Sequence, residues 1–151
     1  MYHLAQINIA TVRYPLESLE MKEFVDALET INALAENSPG FIWRLTGEQN
    51  NATEYRPFSD DRIIVNMSVW DTLESLKNYV YNSAHTDYLR RRKEWFQIMR
   101  EAYTALWWVE SGRTPTIEEA KSKLESLRTK GSTAAAFAFH EPFPAPQTGV
   151  V

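Results

Sequence analysis

The sequence predicts an α+β fold in which six elements follow the order βαββαβ, with one extra helix at the C-terminal end. Two patterns support this prediction. Apolar and polar residues alternate over short segments, as in strands with one buried face, and apolar residues recur at every third or fourth position between them, as in helices. The clearest alternation spans residues 63–70, IIVNMSVW, where Ile63 and Val65 share one face and Asn66 and Ser68 the other.

The first half of the chain is predicted to contain three strands and one long helix. Apolar residues such as Phe24, Leu28 and Ile31 repeat with helical spacing, and Pro39 followed by Gly40 stops the helix. Alternating segments flank it on both sides. The predicted spans are 3–11 for the first strand, 20–36 for the helix, 41–46 for the second strand and 63–70 for the third.

The second half adds helices on both sides of a fourth strand. Asp71 or Thr72 caps a helix that runs to about Tyr81, and Thr116 caps the last helix, which Gly131 ends. The further predicted spans are 84–101 for a helix, 103–110 for the fourth strand, 117–130 for the last helix and 134–139 for a short edge strand.

This order is the ferredoxin-like split βαβ arrangement. Two helices on one face of four antiparallel strands leave the other face uncovered, and a second copy would cover it by closing a barrel. The sequence therefore predicts a dimeric α/β barrel and hence a homodimer. The apolar face, which includes Ala5, Ile7 and Val69, is expected to meet the helices, and the opposite face to point into the barrel.

Composition limits the class of protein. A net charge of −4 and a pI near 5.4 argue against a nucleic-acid partner and against binding to anionic membranes. The absence of cysteine excludes disulfides and thiolate sites, and the cytoplasm is the default compartment. No apolar run is long enough to span a membrane, and no spacing indicates a bound metal. Residues 1–140 are interpreted as a single domain, and 141–151 as an extended, Pro-rich tail.

The face opposite the apolar one carries the main functional signal. Its polar residues in the first three strands are Gln6, Asn8, Arg44, Asn66 and Ser68, and they are accompanied by Trp70. Uncharged amides beside large apolar groups are typical of a semi-buried ligand pocket. The alternative is a face that is open to solvent, which is common in antiparallel sheets.

A second signal lies in the predicted helix before the fourth strand. Helical spacing places on one stripe His85, Tyr88, Arg92, Trp95, Met99 and Tyr103. Arg92 could contact an anionic or carboxylate group at the pocket mouth, although arginine stems covering aromatic surface would give the same pattern.

The candidate site residues follow from these two signals. His85 is the histidine best placed to act as a base or an axial ligand. The candidate catalytic residues are His85, Asn66, Trp70 and Arg44. The candidate substrate-binding residues are Gln6, Asn8, Ser68, Tyr88, Arg92, Trp95 and Trp107.

Several segments together resemble a known family. LAQINIA, SPGFIWRLTGE, IVNMSVWDTLESLKNYVY, SAHTDYLRRRKEWF and ALWWVESGRTPTIEEA are similar to an uncharacterised bacterial family of the dimeric α/β-barrel superfamily, near the antibiotic-biosynthesis-type monooxygenases. The resemblance spans about residues 3–130. It implies a cavity in which Asn66 and Trp70, with Arg44 or Arg92, hold a phenolic substrate that itself activates dioxygen, so that no cofactor is needed.

Three functions remain open at this point. The first is a cofactor-independent enzyme for a small aromatic or polyketide-like compound, of the monooxygenase type or a related lyase or isomerase, with His85 assisting proton removal. The second, implied by the haem-degrading members of the superfamily, is haem binding by Asn8, Trp70 and His85. The third is a non-catalytic ligand carrier or dimeric interaction module.

Overall fold

The computed structural model describes residues 1–46, 58–81 and 90–146. A single 3-10 turn, Leu19–Met21, precedes the first helix. The strands are β1 (Tyr2–Thr11), β2 (Phe41–Arg44), β3 (Ile63–Trp70) and β4 (Thr104–Glu110). The helices are α1 (Lys22–Glu36), α2 (Leu73–Val80), α3 (Arg92–Trp95) and α4 (Ile117–Lys130). Within these ranges, no helix has the length and apolar content needed to cross a membrane.

The strands form one antiparallel sheet in the order β2-β3-β1-β4. This order, with α1 and α2 in the two crossovers, is the ferredoxin-like arrangement, so the predicted fold class and the extra C-terminal helix are confirmed. Because β1 lies between β3 and β4, the register aligns Gln6 with Ser68 and Asn8 with both Asn66 and Thr104. Polar residues that are far apart in sequence therefore meet on one face.

The helix that packs on the apolar face of the sheet is not one of those predicted to pack there. The apolar face of Ala5, Ile7 and Val69 is fully buried, but it packs against α4 rather than against α1 and α2. Helix α4 presents its own buried stripe, Ala120, Leu124 and Leu127, at helical spacing. Helices α1 and α2 lie over the opposite face, which was expected to need a second copy, so one chain covers both faces and the physical argument for a homodimer no longer holds.

Strand β2 carries a local irregularity. Phe41 pairs with Trp70 and Trp43 with Val69, with a register shift between them. In a regular strand Phe41 and Trp43 would share a face, but the irregularity places their side chains in the clusters on opposite faces. Phe41 packs edge-on against Trp70, with ring centroids 5.5 Å apart.

The predicted helix 84–101 is helical in its described part only as far as Trp95, and the prediction is wrong beyond that residue. Helix α3 ends at Trp95, and Phe96 has extended backbone geometry. The reason is tertiary pairing with the end of β1: the Arg13 N–H donates to the Trp95 carbonyl at 2.8 Å, and the Gln97 N–H to the Thr11 carbonyl at 2.9 Å. The predicted strand 134–139 is reduced to one bridge, between Leu106 and Phe137.

Candidate functional site

A cavity of about 290 Å³ lies between the sheet and helices α1 and α2. The amide-bearing face of the sheet lines it, and apolar side chains of the two helices lie opposite. The polar residues on the sheet side are Gln6, Asn8, Asn66, Ser68 and Thr104. All of these side chains except that of Thr104 were predicted to point away from α1 and α2 into a dimeric barrel. That expectation is wrong, because α4 takes the other face and leaves this one to α1 and α2.

Hydrogen bonds connect the polar side chains into a network on the cavity floor. Gln6 Nε2 donates to Asn66 Oδ1 and to Ser68 Oγ, each at 2.8 Å. The Trp70 indole N–H also donates to Ser68 Oγ at 2.8 Å. Asn8 Nδ2 donates to Thr104 Oγ1 at 3.1 Å. The amide orientations are thereby fixed before any ligand binds.

The network leaves specific groups available to a ligand. Gln6 uses both amide protons, so its Oε1 remains as an acceptor, and Asn66 uses its oxygen, so its NH₂ remains as a donor. Ser68 Oγ accepts twice, which leaves its own hydrogen to donate. None of these remaining groups is hydrogen-bonded to another described residue. A ligand that carries both hydroxyl and carbonyl oxygens would match them.

Arg92 supplies the charge at the more exposed end of the cavity. Its guanidinium lies over the Tyr103 ring at 4.6 Å and over the Phe96 ring at 5.4 Å from the centroids. It forms no ion pair with any residue in the described ranges. It is also the only charged side chain among the described lining residues. The cavity therefore favours an anionic or electron-rich ligand.

Tyr79 closes the cavity from α2. Its ring stacks on Trp70 with centroids 5.1 Å apart. Burial raises the pKa of the Tyr79 hydroxyl to about 12, and the nearby positive charge of Arg44 partly opposes this rise. Tyr79 is therefore neutral at physiological pH and acts as a hydrogen-bond group rather than as a base.

The raised pKa of Tyr79 predicts a loss of stability at high pH. The native state keeps the proton up to about pH 12, whereas an unfolded tyrosine loses it above its ordinary pKa of about 10. Stability should thus be unaffected below pH 10 and fall by about 2 kcal/mol between pH 10 and 12. Urea unfolding at pH 9 and pH 11.5 measures this.

Two tyrosine variants provide the control for that measurement. Tyr79→Phe should remove this component of the pH dependence, whereas Tyr81→Phe, at an exposed tyrosine, should keep it. An identical loss of unfolding free energy in the parent and in Tyr79→Phe would contradict the assignment.

The structure brings together five of the predicted site residues. The cavity lining contains Gln6, Asn8, Asn66, Ser68 and Arg92. Their roles toward a ligand remain predictions. His85 and Tyr88 lie outside the described residues.

Four other predicted residues lie elsewhere. Trp70 is fully buried on the same sheet face beside the cavity, where it contacts the lining residues Ser68 and Tyr79 without lining the cavity itself. Arg44 is buried beside Glu36, with Nη2 and Oε1 3.2 Å apart, and does not line the cavity. Trp95 packs against Phe24 rather than lining the cavity, at 5.6 Å between centroids. Trp107 lies on the α4 face, where its indole donates to Glu119 at 2.8 Å, because β4 alternates in the opposite phase.

Several lining residues were missed by the sequence interpretation. They include Tyr79, Thr104 and Phe139. Tyr103 was placed on a helical stripe that does not extend that far. Thr104 could have been found, since it lies in phase with Leu106 on the fourth strand. Phe139 had no local signal, because only the path of the chain after α4 brings it to the cavity.

The position of Trp70 and the size of the cavity argue against a haem group. His85, the residue expected to ligate the iron, lies outside the described residues. Trp70, which was expected to lie against the macrocycle, is fully buried between Phe41 and Tyr79. The volume of about 290 Å³ is also at the lower limit for sites of drug-sized ligands.

The fold is shared with solved structures at low sequence identity. SnoaB, a cofactor-independent oxygenase from Streptomyces nogalater, matches with a TM-score of 0.50 and 14% identity over 76% of this chain and 97% of its own. A conserved protein from Methanosarcina mazei Go1 matches with a TM-score of 0.51 and 13% identity, over 72% and 92%. A protein from Chloroflexus aurantiacus J-10-fl, assigned as an antibiotic biosynthesis monooxygenase, has a TM-score of 0.49 and 17% identity, over 74% and 97%.

The structural matches with SnoaB and the Methanosarcina mazei protein show that this chain shares their fold. No curated protein sequence matches the chain significantly. A family match, in contrast, covers nearly the whole sequence, over residues 3–150. The chain therefore belongs to the family described as domain of unknown function DUF3291.

Proposed function

We propose that this protein is an enzyme that binds a small hydroxylated aromatic compound in the cavity and oxidises it with dioxygen, without a resident cofactor. The observation that carries the proposal is the preorganised floor of Gln6, Asn66 and Ser68, which presents unused donors and an acceptor to an otherwise largely apolar cavity. The fold that it shares with a cofactor-independent oxygenase supports the same class of chemistry.

The cavity suits a substrate of about two fused rings. Apolar residues of α1 and α2, such as Leu28, Ile31 and Leu76, would cover the faces of a planar ring. The floor would hold ring oxygens through the Asn66 NH₂ and the Ser68 hydroxyl. A naphthol-sized compound is the probe that matches this volume and polarity.

The proposed oxidation depends on deprotonation of the phenol substrate to a phenolate. A deprotonated electron-rich phenol can reduce dioxygen itself, so the protein has to stabilise the anion and hold it in place. The Asn66 amide and the Arg92 cation would lower the pKa of the bound phenol by favouring its charged form. We propose His85, which lies outside the described residues, as the accepting base, because an imidazole is the side chain that most readily takes a proton near neutral pH.

The overall reaction balances with 1-naphthol as the model substrate. One 1-naphthol and one dioxygen give 1,4-naphthoquinone and water. One oxygen atom enters the ring carbon, the other leaves as water with the two hydrogens lost from the substrate, and the four electrons given up by the substrate reduce dioxygen.

Oxygen uptake and product formation test this proposal directly. Purified protein is mixed with 1-naphthol in air-saturated buffer, and an oxygen electrode and quinone absorbance are followed together. Equal amounts of oxygen consumed and quinone formed are expected. Asn66→Ala should lower kcat by about a hundredfold, as does the loss of one oxyanion donor in other enzymes, and Asn78→Ala, at an exposed α2 asparagine, should not.

The binding measurement separates the enzyme from a carrier. Saturable binding of 1-naphthol and 1,5-dihydroxynaphthalene, with no oxygen uptake from either, would replace the oxygenase by a non-catalytic ligand carrier. No binding of either compound would remove the aromatic ligand from the proposal.

We keep the homodimer as a proposal, with one change. Helix α4 covers the apolar sheet face, and α1 and α2 cover the opposite one, so a second copy would have to use another surface. Sedimentation at micromolar concentration tests this. A species of twice the 17.5 kDa chain mass supports the dimer, and only the 17.5 kDa species contradicts it.

A further inference from the structure

The chain crosses from one side of the sheet to the other after α4. Helix α4 ends at Gly131, which has φ 73°, and lies on the apolar face. The following segment passes along the outer edge of β4, where Leu106 and Phe137 exchange two backbone hydrogen bonds of 2.9 Å. Two residues later, Phe139 lines the cavity on the opposite face. We call residues 132–143 the strap.

The strap is anchored on both sides of Phe139. Before it, the Ala138 N–H donates to Ser132 Oγ at 3.0 Å, and the Phe137 side chain is fully buried. After it, the carbonyl of Phe143 accepts from the Trp108 indole at 2.9 Å. The Phe137 ring lies between those of Trp108 and Phe143, at 6.4 and 6.1 Å from their centroids. These contacts hold Phe139 in place.

Phe139 contributes bulk to the cavity and no hydrogen bond. It lines the cavity together with Leu76 and Val80 of α2 and packs in the same cluster. An immobilised ring at a cavity wall limits the length of a planar ligand, because close-packed protein interiors adapt poorly to added volume.

We propose that Phe139 is a specificity-determining residue that sets the maximum size of the aromatic ligand, and that the strap positions it. This inference rests on the proposed function only in that the cavity takes an aromatic ligand. It does not depend on turnover, so binding alone can test it.

The experiment compares two fluorescent probes that differ by one ring, 2-naphthol and 2-anthrol. The parent is expected to bind 2-naphthol more tightly. Phe139→Ala should raise the affinity for 2-anthrol relative to 2-naphthol by about tenfold or more, a typical result of changing hydrophobic volume in a pocket. Phe139→Trp should lower the same ratio. Trp108→Phe removes the indole donor at the Phe143 anchor. It should also raise the affinity for 2-anthrol relative to 2-naphthol, but by a smaller factor than Phe139→Ala.

Phe58→Ala is the matched control, because Phe58 packs in the cluster on the α4 face. It should leave the ratio unchanged. Thermal unfolding confirms that each variant folds, and Phe139→Leu replaces Phe139→Ala if the latter does not. An unchanged ratio in the folded Phe139 variants would overturn the inference while leaving the ligand site intact. No binding of either probe by any of the proteins would overturn the aromatic site itself.

Discussion

Arg92→Leu is expected to weaken binding of an aromatic carboxylate, 1-hydroxy-2-naphthoate, by about 10- to 100-fold. Arg92 is the only charged side chain among the described lining residues, and it has no competing carboxylate in the described ranges. A charge-assisted hydrogen bond is worth about 1.5–3 kcal/mol, which corresponds to this range. The affinity for neutral 1-naphthol should fall much less in the same variant. Isothermal titration of the two compounds measures the difference.

Two variants separate the charge of Arg92 from its geometry. Arg92→Lys keeps the charge but loses the planar guanidinium over Tyr103 and Phe96, so an intermediate loss is expected. Arg100→Leu removes an exposed arginine that does not line the cavity and should change neither affinity. Equal losses for the carboxylate and the neutral naphthol in Arg92→Leu would show that Arg92 acts by packing alone.

Phe137→Ala is expected to cause the largest loss of stability, about 3–5 kcal/mol. The ring is fully buried in a cluster with Leu4 and Leu106, and removing a buried aromatic ring leaves a cavity that the surroundings fill only in part. That is a large share of the free energy of unfolding of a typical domain. Urea unfolding, with a check that the slope is unchanged, measures it.

Phe143→Ala is the comparison for this variant, because the Phe143 ring is half-buried on the outer side of Phe137. Phe143→Ala should lower the free energy of unfolding by less than half as much as Phe137→Ala. A cost below about 1 kcal/mol for Phe137→Ala would mean that the strap contributes little to the folded state.

Local sequence patterns predicted the regular elements well where the conformation depends mainly on residues that are near one another in the chain. Strand β3 and helix α4 have the predicted spans, because alternation and capping are local properties. Thr116 caps α4 by accepting the Glu119 N–H, and Gly40 takes the φ of 86° that the turn before β2 requires.

Local patterns failed where a distant segment competed for the same backbone. The helical stripe predicted through Tyr103 ends at Trp95, since the hydrogen bonds between the following residues and the end of β1 replace those of a helix. Arg92 and Tyr103 still meet, although they do not share a helix face. The sequence thus predicted that Arg92 and Tyr103 lie close together, but it did not predict the backbone geometry that brings them together.

The sequence by itself determined the strand order of the chain, the chemical difference between the two sheet faces, and the amides that share one of them. Alternation with a period of two is enough for this, because it separates the side chains of each strand into two sets. Which helix covers which face was decided only by the tertiary structure. That choice depends on the path of the chain after β4, where α4 takes the apolar face and the strap brings Phe139 to the other. The cavity therefore lies under α1 and α2, where no periodicity of a single segment could have placed it.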